Sequence, residues 1–298
     1  MKGVPMHYGQ GAFYRPLFEN EILQLQVQRG CSHNACAFCD MYREPFAPSP
    51  REEILADIKE AASAYPYTKR VFLTGGNAFC LPQDTLMFVL DEVAKRFTSA
   101  TVGAFARVTD ISRKTDDELA ALAKAGMCDI SIGTESGLDS ALAQMGKGFT
   151  AADSLCECLR LDAAGLSYDL FYLIGMAGAG HADESAEATA KLYSELHPNR
   201  IMIHTMTAFK GTRLREMIDA GEFTPAGELE NVRELRRFAE LLDCENDVFV
   251  LGNHIGNAAP VSGYLPSQRE QMLESYDYVL AHANEQHLAR YRASMRSI

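Results

Sequence analysis

The chain has 298 residues, 47% of them hydrophobic and 23% charged, with a formal net charge of −12. It can bury a substantial core, no run approaches the roughly 18 apolar residues of a membrane span, and the opening MKGVPMHYGQ lacks the apolar core of a secretory signal. So acidic a chain offers no electrostatic footprint for nucleic acid, and the expectation is a cytoplasmic protein with neither membrane nor nucleic-acid partners.

Residues 1–20 read as an N-terminal segment. ILQLQVQRG alternates and is rich in strand formers, giving a first strand. Ser49-Pro50-Arg51-Glu52 has the form of a capping box with proline at the first helical position, opening the helix REEILADIKEAASAY. RVFLTGG is an apolar run stopped by two glycines, a buried second strand, and a helix through LPQDTLMFVLDEVAKRF follows. TVGAFARVTD is strand three. Thr115 and Glu118 form a second capping box before DDELAALAKAG, which Gly126 closes. CDISIGTESG is strand four, with helices over 138–145 and 150–164. SYDLFYLIG is strand five, DESAEATAKLYSEL a helix and RIMIHTM strand six.

Strands alternating with helices over residues 21–223 predict an α/β fold with a parallel sheet, as a partial (β/α)6 TIM-type barrel. Residues 224–298 read as a C-terminal extension of helix and loop packed on that barrel. Sites in such folds lie at the carboxyl ends of the strands. The unusual residues of this chain stand there: the cysteines after strand one, GGNAF after strand two, TESG after strand four, GMAGAG after strand five and TAFKGT after strand six.

Three of the eight cysteines, Cys31, Cys36 and Cys39, fall in RGCSHNACAFCDMY with the spacing C-x4-C-x2-C. A cytoplasmic chain does not use cysteines for stable disulfides, and clustered ones point to metal or redox chemistry. The other five, Cys80, Cys128, Cys156, Cys158 and Cys244, read as buried thiols. Thiolates suit iron–sulfur clusters and zinc, and ligands close in sequence cost little chain entropy to order. Two readings compete: a four-iron cluster on three cysteines with one iron open, or zinc with His33 as a fourth ligand. The place after strand one favours the open iron.

The chain resembles the radical S-adenosylmethionine (SAM) family, in the branch of oxygen-independent coproporphyrinogen oxidase, the methylthiotransferases and the Elongator catalytic subunit. The resemblance covers about residues 23–223. It rests on an aromatic before the third cysteine (Phe38 in CAFC), Gly75-Gly76-Asn77 where the family has Gly-Gly-Glu, GTESG, MGKGFT, IGMAG and TAFKGTRL, in order after the matching strands. Two departures stand out: the family's usual spacing is C-x3-C-x2-C, and Asn77 replaces a glutamate.

The resemblance implies an enzyme in which a [4Fe–4S] cluster on Cys31, Cys36 and Cys39 cleaves SAM to a 5′-deoxyadenosyl radical, which takes hydrogen from a small or medium organic substrate. A flavodoxin- or ferredoxin-type protein would supply the electron. Phe38, Gly75, Gly76, Asn77, Ser136, Ile174, Gly175, Ala208 and Phe209 are expected to contact SAM. Glu135 is expected at its ribose or amine and Arg107 at its carboxylate. His254, in the polar loop GNHIGN with Asn253 and Asn257, is expected to close on substrate. Tyr42, Tyr168 and Tyr172 are further candidates on a radical path. Other readings are a haem carrier related to coproporphyrinogen oxidase, an RNA- or protein-modifying enzyme, and a structural zinc protein.

Overall fold

The computed structural model describes residues 22–294. Its strands are β1 (Leu23–Gln26), β2 (Gln28–Arg29), β3 (Ala47–Pro48), β4 (Arg70–Thr74), β5 (Thr101–Ala106), β6 (Met127–Glu135), β7 (Tyr168–Ile174), β8 (Arg200–Thr205), β9 (Val248–Leu251) and β10 (Gly263–Leu265). β2 and β3 form a short antiparallel pair, and the other eight make one sheet in the order β1-β4-β5-β6-β7-β8-β9-β10. Pairing is parallel from β1 through β6 and from β7 through β9, while β10 runs antiparallel to β9. This is the expected parallel α/β sheet, with helices in the connections.

The chain divides into two compact units. The first holds residues 22–34, 41–133 and 159–168 of the described chain. In β4, Val71, Phe72 and Leu73 are wholly buried, as befits a parallel strand covered on both faces. Helix α1 (Arg51–Ala64) turns Ile54, Ile58 and Ala61 inward, and α2 (Gln83–Ala94) Leu86, Val89, Leu90 and Val93. After the single turn of α3 (Val108–Ile111), α4 (Asp116–Lys124) buries Leu119 and Leu122. These spacings of three and four residues are the stripe of an amphipathic helix. The box at Thr115 forms as predicted: Thr115 N–H donates to Glu118 Oε2 at 2.8 Å, and Glu118 N–H to Thr115 Oγ1 at 3.2 Å. The box predicted at Ser49 does not form. Pro50 takes the cap position, and Ser49 N–H instead donates to Val27 O at 2.9 Å, which ties the entry of α1 to the strand.

The second unit holds residues 35–40, 134–158 and 169–294 of the described chain. Its helices are α5 (Asp139–Gln144), the start of α6 (Ala151–Ala164), α7 (Ala182–Ser194), α8 (Arg213–Asp219), α9 (Glu228–Leu241), α10 (Arg269–His282) and α11 (Glu285–Ala293). α9 packs on α7 and α10. At its centre the Phe238 ring lies 4.8 Å from that of Tyr172 and 6.1 Å from that of Tyr193. The sheet runs on beyond residue 223, because β9 pairs with β8 in the register Arg200↔Phe249 and β10 follows. The helical end of the C-terminal extension is two helices, α10 and α11, broken where Asn284 caps His287 N–H at 3.0 Å.

Candidate active site

In the first unit, two side-chain amides bracket Cys31. Before it, the fully buried Gln28 donates from Nε2 to Gly30 O at 3.3 Å and also to the carbonyl of Gly75. After it, Asn77 Oδ1 accepts Ser32 N–H at 3.0 Å, and Asn77 Nδ2 donates to Ser32 Oγ and to Asp110 Oδ2, each at 2.8 Å. Gly75 and Gly76 have φ of 105° and 80°, a region L-residues avoid. A Cβ on Gly75 would sit 1.8 Å from Gln28 O, and one on Gly76 2.9 Å from Cys31 Cα. The close approach this pair permits is therefore to the cysteine loop itself. Asp110 Oδ2 also accepts Arg107 N–H at 2.9 Å, and Arg107 Nη1 donates to Thr109 Oγ1 at 2.8 Å. Burial raises the Asp110 carboxyl, and it pushes the nearby Cys80 thiol up to about 11.

In the second unit, the rest of the cysteine loop has its own seat. Ala37 N–H donates to Met145 O at 2.9 Å, Ala37 O accepts Leu214 N–H at 2.8 Å, and Cys39 N–H turns back to Cys36 O at 3.3 Å. Gly146 stands against this segment, for a Cβ there would lie 3.0 Å from Ala35 O. Lys147, only 3% exposed, places Nζ 3.3 Å from Glu135 Oε1 and over the rings of Phe38 (5.7 Å) and Phe149 (5.4 Å). A buried ammonium is tolerated when a carboxylate and ring faces surround it. Glu135 has a φ of 67°, rare for a residue with a side chain. Ser136 is fully buried, and its Oγ accepts Leu138 N–H at 3.0 Å.

At the end of β7, Gly175 (φ 77°) donates its N–H to Glu234 Oε2 at 2.8 Å. Glu234 Oε1 accepts the hydroxyls of Tyr172 and Ser185, each at 2.7 Å. Burial pushes this carboxyl up to about 7 against the three hydrogen bonds. Ile174 O accepts Met206 N–H at 3.0 Å. Ala208 and Phe209 are half-buried, and Phe209 O accepts the Thr212 hydroxyl at 2.7 Å at the start of α8. The His254 ring stacks on His204 of β8, centroids 4.3 Å apart, with Phe171 edge-on to His204 at 5.3 Å. His254 Nδ1 accepts Gly256 N–H at 3.1 Å. Burial pushes His204 down to about 3 and lowers His254 as well, so both rings are neutral. Asn257 fixes the GNHIGN loop by donating to Ile203 O and Gly252 O and accepting from Thr205 Oγ1, each at 2.9 Å. Asn253 is exposed.

The structure thus brings Gly75, Gly76, Asn77 and, through Asp110, Arg107 to the Cys31 end of the loop, and Phe38 and Glu135 together around Lys147. Ile174 and Gly175 lie over Glu234, and Tyr172 is committed to that carboxylate. Tyr168 OH donates to Asp162 at 3.3 Å, and Tyr42 is buried with a φ of 50°. Gln28, Lys147, His204 and Glu234 escape a reading of the sequence alone. Lys147 had a signal, a charge between two glycines in MGKGFT; Glu234, in a helix dense with charges, had none.

None of the eight cysteines is in a disulfide, and Cys31, Cys36 and Cys39 are half-buried. Among the described residues no three His, Cys, Asp or Glu side chains stand close enough to hold one metal ion. The donors suit an iron–sulfur cluster by their chemistry: three soft thiols close in sequence and in no disulfide. A loop of such thiols after the first strands of a parallel α/β sheet fits an enzyme of iron–sulfur type. The radical SAM superfamily profile matches residues 25–193, and the chain belongs to that superfamily. Membership brings a [4Fe–4S] cluster and SAM as cofactors and a requirement for a reductant and a substrate. No curated protein matches the chain. Among solved structures it is similar to methylornithine synthase (PylB), with a TM-score of 0.56 at 13% identity over 86% of this chain and 68% of that one. It is also similar to the radical SAM methyltransferase TsrM of Kitasatospora setae (0.54, 15%, over 67% and 37%) and to Methanocaldococcus infernus Elp3 (0.51, 15%, over 87% and 62%). At these identities the likeness is one of fold, and the chain spans 62% of the Elp3 structure. No helix among the described residues is long and apolar enough to cross a membrane.

Proposed function

We propose that Cys31, Cys36 and Cys39 hold the cluster of a radical SAM enzyme that takes hydrogen from a small or medium organic substrate. When bound, the cluster and SAM supply one-electron cleavage of a carbon–sulfur bond and, with it, hydrogen abstraction. The chain's own groups position and shield. Gln28 and Asn77 fix the backbone on either side of Cys31, and Met145 and Leu214 fix the backbone between Cys36 and Cys39. Lys147 holds Phe38 and Glu135, with Glu135 toward the SAM ribose or amine and Arg107 toward its carboxylate. Ser136 acts through the turn it caps. Ile174, Gly175, Ala208 and Phe209 offer backbone to the adenine. His254, neutral and stacked on His204, meets the substrate as a hydrogen-bonding rather than a charged group. A flavodoxin- or ferredoxin-type donor delivers the electron.

The observation that carries this reading is the C-x4-C-x2-C trio, none of it in a disulfide, on backbone seated by hydrogen bonds. Anaerobically purified protein should be brown, with about four iron and four sulfide per chain, and should release 5′-deoxyadenosine from SAM with dithionite. Serine at any of the three cysteines should abolish both. His254→Ala should keep both and lose substrate turnover. Colourless wild-type protein carrying one zinc would overturn the reading.

A further inference from the structure

Asn77 stands where the family resemblance has a glutamate, beside a cysteine loop one residue longer than the family's usual spacing. The two departures meet in one set of hydrogen bonds. The Ser32 N–H can only donate, so the Asn77 atom facing it at 3.0 Å must accept. The Asp110 carboxylate can only accept, so the Asn77 atom 2.8 Å from it must donate. One side chain does both, and its donor end also reaches Ser32 Oγ at 2.8 Å. An amide meets all three demands; a carboxylate, having acceptors alone, would face Asp110 with like charge. Asn77 is only 3% exposed, so water cannot substitute for the lost bonds. Asp110 is in turn fixed by Arg107 N–H at the start of α3, so the chain of bonds runs from β5 through Asp110 and Asn77 to the residue after Cys31. On the other side Gln28 holds Gly30, and Gly76, where a Cβ would meet Gly30 O at 2.5 Å and Cys31 Cα at 2.9 Å, lets the backbone pack closely against Cys31.

We infer that Asn77 is a positioning residue that, with Asp110, sets the Cys31 end of the lengthened loop for iron, and that its amide is needed there because it must accept and donate at once. The inference rests on the reading of Cys31 as a cluster ligand.

The test uses the full chain, reconstituted with iron and sulfide. It measures cluster lifetime against a chelator, the EPR spectrum of the dithionite-reduced cluster with and without SAM, and thermal unfolding of the cluster-free protein. Asn77→Asp keeps the size and removes the donors. It should shorten the lifetime about tenfold, as the loss of one to two buried hydrogen bonds implies, and change the EPR spectrum. Adding Asp110→Asn returns a donor to the pair and should recover most of both. Ser32→Ala, at an exposed position where folding is not at risk, should shorten the lifetime by a few-fold through its one lost bond. A wild-type lifetime and spectrum in Asn77→Asp or, should that variant not fold, in Ser32→Ala overturns the inference while leaving the cluster reading intact. Wild-type protein that holds no cluster overturns both.

Discussion

Glu234 is a fully buried carboxyl with three donors aimed at it and a pKa near neutrality. Its folded value of about 7 lies above the ordinary 4.5, so the folded chain holds this proton more tightly than the unfolded one. The stability it contributes is complete below about pH 4.5 and declines as pH rises to about 7, by roughly 3 kcal/mol in all, after which the slope ends. Glu234→Gln should flatten that part of the pH profile, as read by denaturant unfolding at pH 5 and pH 7.5 against wild type. Equal slopes in the two proteins would remove Glu234 as the cause. The single residues least legible in the sequence share this property. Glu234 and His204 each have a side chain whose meaning comes from a partner about fifty residues along the chain, Gly175 and His254. In ELENVRELRRFAEL the inward glutamate reads like its solvated neighbours, because charge alone does not say which face is buried. The cysteine motif, by contrast, stands out in the sequence because its three members lie within nine residues.

At the scale of elements, local signals were faithful where they act locally. The apolar runs stopped by glycine became β4 and β7, and the Thr115 box opened α4. Pairing is a property of two elements. VFVL reads as a short strand, and nothing in it names β8 as its neighbour. The junction of β6 with α7 is another contact invisible from either piece. Gly137 N–H donates to Thr189 Oγ1 at 2.9 Å, and a Cβ on Gly137 would lie 2.3 Å from Ala188 O. Backbone cannot yield as a side chain can, so Gly137→Ala should destabilise the protein by about 2 kcal/mol through overpacking, measured as a lower denaturation midpoint. An unchanged midpoint would mean that α7 moves freely away from the end of β6.

For the molecule as a whole, the net charge of −12 sets what it meets. A polyanion such as tRNA should not be retained at 50 mM salt, where phosphate contacts are strongest. Gel-shift titration checks this, and salt-dependent binding would favour an RNA-modifying role over action on a small substrate. The parallel fold was legible as a repeating pattern of strand and helix; its continuation through β9 and β10 was not, since after residue 223 the pattern breaks while the sheet does not.

The two seats of the cysteine loop have a consequence for biogenesis. The bonds that bracket Cys31 are complete once Asp110 has been synthesised. Those around Ala37 wait for Leu214, more than a hundred residues later. Under the proposed role of these cysteines, a growing chain would hold the Cys31 backbone in place well before that of residues 35–40, and cluster loading would follow the synthesis of Leu214.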